Sequence, residues 1–168
     1  MIYNSEDLTL QNWTFINNST LDPELMPLDP GFFPGAEFHG GTIAHRLGDL
    51  VIEDSSFLTS KTEGVDANGG AIYARDGNVT ISGDSFFSGG GTVKSDSNGG
   101  ALYIRNGQLA VTNTIISANF LQGGSSQGAG IYSYAGAGEQ TTVTLTDSIV
   151  SGNTSIGPFS AGTGISNW

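Results

Sequence analysis

Short segments in which hydrophobic and polar residues alternate recur along the chain, and clusters of glycine, serine and asparagine separate them. A period of two residues is that of a β-strand with one buried face and one exposed face. The segments do not follow the 3.6-residue period of an amphipathic helix. The pattern therefore predicts many short strands that are joined by tight turns.

The strands belong to a repeat that is clearest between Asn98 and Asn119. The glycines that open successive copies recur every 29 or 30 residues, at Gly40, Gly69, Gly99 and Gly128. In five copies, a second predicted strand begins with an apolar residue, and another apolar residue stands seven positions later. These pairs are Leu8 and Phe15, Leu50 and Phe57, Val79 and Phe86, Leu109 and Ile116, and Val143 and Val150. A fixed period of this length is typical of a solenoid.

The predicted fold is all-β, a right-handed parallel β-helix of about five coils with about 30 residues in each coil. Equivalent residues of neighbouring coils then stack at the strand spacing of about 4.8 Å. Alternation predicts the side chains that point inward: Ile72, Ala74, Val79, Ile81, Phe86, Leu102 and Ile104. It predicts an outward direction for Tyr73, Arg75, Thr80 and Ser82. Left-handed turn positions are expected at Gly48, Gly77 and Gly107.

The whole chain, residues 1–168, is predicted to be one β-helix segment, interrupted by a proline-rich loop at residues 19–38 between two coils. The first and last residues resemble the middle and the opening of a repeat. Open coil ends expose unpaired strand edges. We therefore expect a segment of a longer solenoid, with other segments of the same parent protein as partners at the coil ends.

A family resemblance follows from two motifs of the repeat, Gly-Gly-Ala-Ile/Leu and a later Phe-x-x-Asn. They stand here as Gly69-Gly70-Ala71-Ile72, Gly99-Gly100-Ala101-Leu102 and Phe15-Ile16-Asn17-Asn18, and later copies reduce the second motif to Ile116 with Asn119 and Val150 with Asn153. The motifs resemble the repeats of chlamydial polymorphic membrane proteins and of large bacterial surface adhesins. The resemblance implies a right-handed β-helix in a secreted or surface-exposed protein that adheres or scaffolds, and it carries over no catalytic residue.

Charge and composition exclude several classes of function. The chain has 168 residues, a net charge of −11, five basic residues and no cysteine. Binding to nucleic acid is not expected, because phosphates require lysine and arginine. Disulfides and thiolate metal sites are excluded. The sequence has no apolar run of about 20 residues, so we expect no membrane insertion by this segment.

The candidate ligand-binding residues form a predicted outward stripe. All three arginines of the chain, Arg46, Arg75 and Arg105, lie three positions after the first apolar residue of the Gly-Gly strand, and Tyr134 takes the same place in the next copy. Beside them lie Tyr73, Tyr103 and Tyr132. Tyrosine rings can stack on sugars, and guanidinium groups pair with carboxylate or sulfate. The stripe therefore predicts binding to acidic polysaccharide or to a host or neighbouring surface; a packed ladder of like residues is the alternative.

Two further rows are interpreted as structural. Asn18, Asn119 and Asn153 are expected to form an inward ladder that bonds backbone groups of neighbouring coils. A second corner, with Asn12, Asp54, Gly83, Asn113 and Asp147, is expected to stabilise a turn through bonds from side chain to backbone. His45 is expected to be a hydrogen-bonded structural residue.

No cofactor is expected from the sequence, although its many oxygen ligands leave calcium open. The acids considered for calcium are Asp22, Glu24, Asp29, Glu37, Glu53 and Asp54. The sequence lacks the Gly-Gly-x-Gly-x-Asp repeat that binds calcium in other solenoids.

Three functions thus stay open. The first is a non-catalytic extracellular or cell-surface adhesin or scaffold. The second is a carbohydrate-active enzyme, a polysaccharide lyase or hydrolase, for which the candidate acids are Glu53, Asp54, Asp76 and Asp84. The third is ice binding by outward threonine rows, which Glu53 and two apolar residues interrupt.

Overall fold

The fold is a parallel β-solenoid in a computed structural model that describes residues 1–20, 39–64, 67–93 and 96–168. These residues form strands, turns and bends, with no helix among them. The first coil contains β1 (Ile2–Asn4), β2 (Leu8–Gln11), β3 (Thr14–Ile16) and β4 (Ser19–Thr20). The second contains β5 (Ile43–His45), β6 (Leu50–Glu53), β7 (Ser56–Leu58) and β8 (Lys61–Glu63).

The later coils repeat this order of four strands. The third contains β9 (Ile72–Arg75), β10 (Val79–Ser82), β11 (Ser85–Ser88) and β12 (Gly91–Val93). The fourth contains β13 (Leu102–Arg105), β14 (Gln108–Thr112), β15 (Thr114–Ser117) and β16 (Phe120–Gln122). The fifth contains β17 (Ile131–Tyr134), β18 (Thr142–Thr146), β19 (Ile149–Ser151) and β20 (Thr154–Ile156), and β21 (Ile165–Asn167) follows it.

Equivalent strands of successive coils pair in parallel and make four sheets. Sheet A is β1-β5-β9-β13-β17-β21, sheet B is β2-β6-β10-β14-β18, sheet C is β3-β7-β11-β15-β19, and sheet D is β4-β8-β12-β16-β20. The pairings are in register, as in Ile72 opposite both Ile43 and Leu102. The predicted all-β solenoid of about five coils is confirmed, and its right-handed sense stays a prediction from the sequence.

The core lies between the sheets and consists of rows of aliphatic and aromatic side chains. Sheet A contributes Ile43, Ile72, Leu102 and Ile131, sheet B contributes Leu50, Ile52, Val79, Ile81, Leu109 and Val111, and sheet C contributes Phe57, Phe87 and Ile116. Burial of each side chain of this size contributes about 1.5 to 3 kcal/mol. The inward direction predicted from alternation is confirmed for Ile72, Ala74, Val79, Ile81, Leu102 and Ile104.

The predicted inward position of Phe86 is wrong. Phe87 pairs with Phe57 and Ile116 in sheet C, and Phe86 lies between Ser56 and Ile115 on the outer side. Three residues lie between Ser82 and Phe86, whereas two lie between their partners Glu53 and Ser56 in the second coil, so the corner of Gly83 and Asp84 contains one more residue. The extra residue shifts the strand by one position, and a shift of one residue exchanges the two faces of a strand.

The glycines of the repeat have two different roles. Gly69 has a φ of 70°, and a Cβ there would lie 2.1 Å from the carbonyl oxygen of Ile72. Its neighbour Gly70 faces the next coil, where a Cβ would lie 2.0 Å from the carbonyl oxygen of Gly100. The Gly-Gly pair thus combines a left-handed turn with close contact between coils.

The prediction of a left-handed conformation is confirmed at Gly48, where φ is 79°, and is wrong at Gly77 and Gly107. The residues just before them, Asp76 and Asn106, have the positive φ instead. Gly77 and Gly107 are required by space, since a Cβ on Gly107 would lie 2.1 Å from the carbonyl oxygen of Gly77.

The predicted proline-rich loop, residues 19–38, lies mostly outside the described residues. Its first two residues form β4 and pair with Lys61 and Thr62 of β8. Residues 21–38, with the candidate calcium ligands Asp22, Glu24, Asp29 and Glu37, are outside the described part of the chain.

Candidate functional site

The outer face of sheet A carries the residues of the predicted stripe in two parallel rows. Inward side chains such as Leu102 and Ile104 alternate with outward Tyr103 and Arg105 along each strand. We call Arg46, Arg75 and Arg105 the arginine row, and Tyr73, Tyr103 and Tyr132 the tyrosine row. The two rows run along the solenoid axis, because the members of each row come from three successive coils, the second to the fourth for the arginine row and the third to the fifth for the tyrosine row.

The predicted stacking of the arginine row is confirmed. Arg105 is opposite Arg75 on one side and Tyr134 on the other. Arg46 follows His45, which is opposite Ala74, so it lies beside Arg75. All three arginines are half-buried. In parallel strands such neighbours are about 4.8 Å apart at the backbone.

Two contacts hold the guanidinium groups in the row. Nε of Arg75 donates to Oδ2 of Asp76 at 2.8 Å, and Nδ2 of Asn106 donates to Oδ1 of the same carboxylate at 2.8 Å. Cζ of Arg105 lies 5.8 Å from the ring centroid of Tyr134, which is within the range of a cation–π contact. The row is therefore a partly ordered line of guanidinium groups, in which the Asp76 carboxylate offsets the charge of Arg75.

The tyrosine row is a continuous stack of rings that begins at His39. Ring centroids are 4.2 Å apart from His39 to Tyr73, 5.1 Å from Tyr73 to Tyr103 and 5.3 Å from Tyr103 to Tyr132. Tyr73 is only 2% exposed and Tyr103 only 8%. The expected exposure of these two outward rings is thus not found, because the rings cover one another.

The stack also changes the acidity of its phenols. Burial raises the pKa of the Tyr103 phenol, the neighbouring phenols of Tyr73 and Tyr132 raise it further, and the Arg105 guanidinium opposes the shift. Burial likewise raises the pKa of Tyr132. Both phenols are therefore neutral at ordinary pH, and they leave the positive charge of the arginine row intact.

One residue that the sequence reasoning missed extends the arginine row beyond Tyr134. The backbone N–H of Trp168 donates to the carbonyl oxygen of Ser133 at 3.0 Å, and the N–H of Ala135 donates to that of Trp168 at 2.9 Å. These bonds place Trp168 opposite Tyr134. Aligning Ile165 with Ile131, its equivalent one coil earlier, would have predicted this position of Trp168 from the sequence.

The inward asparagine ladder is confirmed at two positions. Nδ2 of Asn119 donates to the carbonyl oxygen of Phe87 at 3.1 Å, and its Oδ1 accepts the N–H of Gly90 at 3.0 Å. Nδ2 of Asn153 donates in the same way to Ile116 at 3.0 Å. Asn18 lies at the equivalent position of the first coil and is half-buried.

The second corner row has a common backbone conformation. Its five members all have positive φ, between 47° and 69°: Asn12, Asp54, Gly83, Asn113 and Asp147. Asparagine, aspartate and glycine are the residues that adopt this conformation most readily. Oδ1 of Asp54 also accepts the N–H of Asp84 at 3.2 Å, which is the kind of bond from side chain to backbone that was predicted.

The remaining candidate residues take part in local structure. His45 is buried, with Nδ1 3.3 Å from Nδ2 of Asn4 and Nε2 3.1 Å from the carbonyl oxygen of Gly48, so its predicted structural role is confirmed. Within the described ranges, no three His, Cys, Asp or Glu residues are grouped as a metal ion requires. The part of the chain that the structure describes also contains no helix with the length and apolarity of a membrane span.

The fold and the two rows thus define a parallel β-solenoid with a cationic and aromatic outer face on sheet A. Comparisons with known protein families, with curated proteins and with solved structures found no match.

Proposed function

We propose that the chain is a non-catalytic segment of an extracellular or cell-surface adhesin or scaffold, and that its arginine row binds acidic polysaccharide. The observation that supports this proposal is the placement of the arginines. All three arginines of a chain with a net charge of −11 lie on one row in successive coils.

The physical argument concerns like charges at short distance. Positive groups on adjacent strands repel one another, and directly opposed like charges destabilise a sheet. The Asp76 carboxylate offsets part of this repulsion at Arg75. A ligand with carboxylate or sulfate groups at regular spacing would relieve the remainder and pair with the planar guanidinium groups. Tyr132 and Tyr134 are half-buried, so each side chain is partly accessible to a sugar beside Arg105.

The extracellular and adhesive part of the proposal rests on the resemblance to polymorphic membrane protein repeats. The solenoid fold by itself hosts many unrelated functions. The coil geometry is explained by the repeated motif Gly69-Gly70-Ala71-Ile72 and its equivalents. We therefore look for a function specific to this chain in the side chains on the outer face of sheet A.

Binding to immobilised polysaccharides tests the proposal. The ligands are polygalacturonate, heparin and neutral dextran, and the proteins are the wild type, Arg75→Ala/Arg105→Ala and Lys61→Ala. Lys61 is the matched control, because it is basic but lies on sheet D beside Glu63. We expect retention on the two acidic ligands, a loss of at least about tenfold in the double arginine variant, and no comparable loss in Lys61→Ala.

The same incubations separate binding from catalysis. Release of oligosaccharides or of a new unsaturated bond would replace the proposal with a carbohydrate-active enzyme and would direct mutagenesis to Glu53, Asp54, Asp76 and Asp84. Equal retention of the wild type and the double arginine variant would remove the arginine row from the argument. Thermal hysteresis in a freezing assay would favour ice binding on sheet B.

A further inference from the structure

Arg75 and Arg105 are neighbours in the arginine row, but the chain gives them different contacts. We infer that Arg105 is the anion-binding point of the row and that Asp76 competes with the ligand for Arg75. The ligand is then recognised by one carboxylate or sulfate group of a sugar at Arg105. This inference rests on the proposed function and adds the residue that determines binding and the residue that limits it.

Both arginines lie in the interior of sheet A. The strand of Arg75, β9, pairs with β5 and β13, and the strand of Arg105, β13, pairs with β9 and β17. Each strand therefore has a partner at both edges, and the two side chains are accessible from the outer face of the sheet. Their half exposure does not depend on the ends of the solenoid.

The carboxylate of Asp76 is held beside Arg75 from two sides. Its Oδ2 accepts from Nε of Arg75 at 2.8 Å, and its Oδ1 accepts from Nδ2 of Asn106 in the next coil at 2.8 Å. An anion that approaches Arg75 must displace this carboxylate or lie close to a like charge. Asp76 thus lowers the affinity of Arg75 for an acidic ligand.

The equivalent position in the fourth coil is neutral. Asn106 follows Arg105 as Asp76 follows Arg75, and both residues have positive φ, 53° and 59°. Among the described residues Arg105 has no hydrogen-bonded or ion-paired partner, and its Nε is buried. A guanidinium has five N–H donors. An anion at Arg105 therefore supplies acceptors that the described part of the chain does not.

The surroundings of Arg105 suit an acidic sugar. A guanidinium forms two parallel hydrogen bonds with a carboxylate or a sulfate. Cζ of Arg105 lies 5.8 Å from the ring centroid of Tyr134, so an aromatic surface adjoins the charge. A uronic acid or a sulfated sugar combines an anionic group with an apolar C–H face, and this face can pack on the tyrosine ring.

The isosteric substitution Asp76→Asn removes the competing charge and leaves the fold intact. Asparagine already stands at the equivalent position of the next coil, with the same sign of φ. Its amide oxygen can accept the hydrogen bond from Asn106 that Oδ1 of Asp76 accepts. Calorimetric titration with polygalacturonate then compares the wild type, Asp76→Asn, Arg75→Ala, Arg105→Ala and the double variant Asp76→Asn/Arg75→Ala.

Asp54→Asn is the matched control for the change of net charge. Asp54 is exposed and has a φ of 47°, and its Oδ1 accepts the N–H of Asp84 at 3.2 Å, as an asparagine oxygen can. It lies between β6 and β7, at the corner of sheets B and C, and not on sheet A. Both aspartate variants therefore lose one negative charge, but only Asp76→Asn loses it beside Arg75.

Arg105→Ala is expected to weaken polygalacturonate binding at least about tenfold, and Arg75→Ala less than about twofold. Asp76→Asn should strengthen binding about 2- to 5-fold and make it more sensitive to salt, because a second ionic contact becomes available. The double variant should lose this gain, and Asp54→Asn should leave the affinity as in the wild type. A gain of affinity cannot result from misfolding, so this comparison does not depend on the stability of the alanine variants.

The outcomes separate this inference from the proposed function. Equal losses in Arg75→Ala and Arg105→Ala, with no gain in Asp76→Asn, would overturn the competition by Asp76 and leave the arginine row as the binding site. An equal gain in Asp54→Asn and Asp76→Asn would also overturn it, because net charge would then be the cause. An absence of polygalacturonate and heparin binding in both the wild type and Asp76→Asn would overturn both proposals.

Discussion

Phe87 stacks on Phe57 of the preceding coil, with ring centroids 4.6 Å apart and an interplanar angle of 4°. Both rings are buried, and Phe15 extends the stack at 4.9 Å from Phe57. This stack defines the register of sheet C: Phe87 is opposite Phe57 in the core, and the adjacent residue Phe86 lies on the outer side opposite Ser56.

The two adjacent phenylalanines give a matched pair of variants. Phe87→Ala is expected to lower the free energy of unfolding by about 3 to 5 kcal/mol, because it leaves a cavity between Phe57 and Ile116. Phe86→Ala removes a half-exposed side chain and should cost about 1 kcal/mol. Denaturant titration measures both. A larger loss in Phe86→Ala would contradict the register.

The repeat was sufficient to predict most of this architecture. Copies that share a period must stack, and alternation then assigns Ile72, Leu102 and Val79 to the core. The position of Phe87 could not be predicted in the same way. The spacing of seven residues is met by Phe86, and only the three-dimensional pairing shows that the corner at Gly83 contains an additional residue.

A second prediction concerns the close contact between coils. In Gly70→Ala the new Cβ would lie 2.0 Å from the carbonyl oxygen of Gly100 and 2.7 Å from the nitrogen of Gly91. Because both neighbours are backbone atoms, the coils must move apart, and we expect a loss of stability of about 1 to 3 kcal/mol or more.

Gly124→Ala is the control for this variant. A Cβ on Gly124 has no neighbouring atom within 4 Å, and the residue has no positive φ. We expect a change within about 0.5 kcal/mol, or a small gain from the reduced entropy of the unfolded chain. The midpoints of thermal unfolding compare the two, and equal midpoints would argue against the required close approach at Gly70.

A third prediction tests the asparagine ladder. Asn119→Ala removes the side-chain acceptor of the Gly90 N–H and one side-chain donor to the Phe87 carbonyl, which is also part of the backbone pairing of sheet C. An unsatisfied buried group costs about 1 to 3 kcal/mol, so the expected loss is about 1 to 3 kcal/mol. Gln122→Ala, an exposed position on the next strand, should change stability by less than about 0.5 kcal/mol. Similar stabilities for the two variants would show that the ladder is dispensable.

The candidate site was only partly predictable. The alignment of Arg75 with Arg105 follows from the period, and the structure confirms it. The burial of Tyr73 could not be predicted from the period. Alternation shows on which face of a strand a side chain lies, but it does not show that the ring of His39 stacks on Tyr73 and covers it. The position of Trp168 was not predicted, because it belongs to an incomplete copy of the repeat. In that copy only Ile165, which is opposite Ile131, indicates the alignment.

The last prediction uses the stacked phenols. The pKa of Tyr103 is raised in the folded protein above the value of about 10 that a phenol has in an unfolded chain. The folded state therefore binds this proton more tightly than the unfolded state does. The resulting stability is complete below about pH 10 and is lost as the pH rises through the folded pKa, with a slope of at most about 1.4 kcal/mol per pH unit for one group.

Urea titrations of the wild type, Tyr103→Phe and Tyr3→Phe between about pH 9 and pH 11 measure this dependence. Tyr103→Phe should flatten the decrease, because phenylalanine keeps the ring in the stack and has no proton to lose. Tyr3→Phe changes an exposed tyrosine and should leave the decrease as it is in the wild type. The raised pKa of Tyr132 adds a smaller decrease in the same direction, which remains in both variants. A decrease of equal slope in Tyr103→Phe and the wild type would mean that other groups cause the alkaline loss of stability.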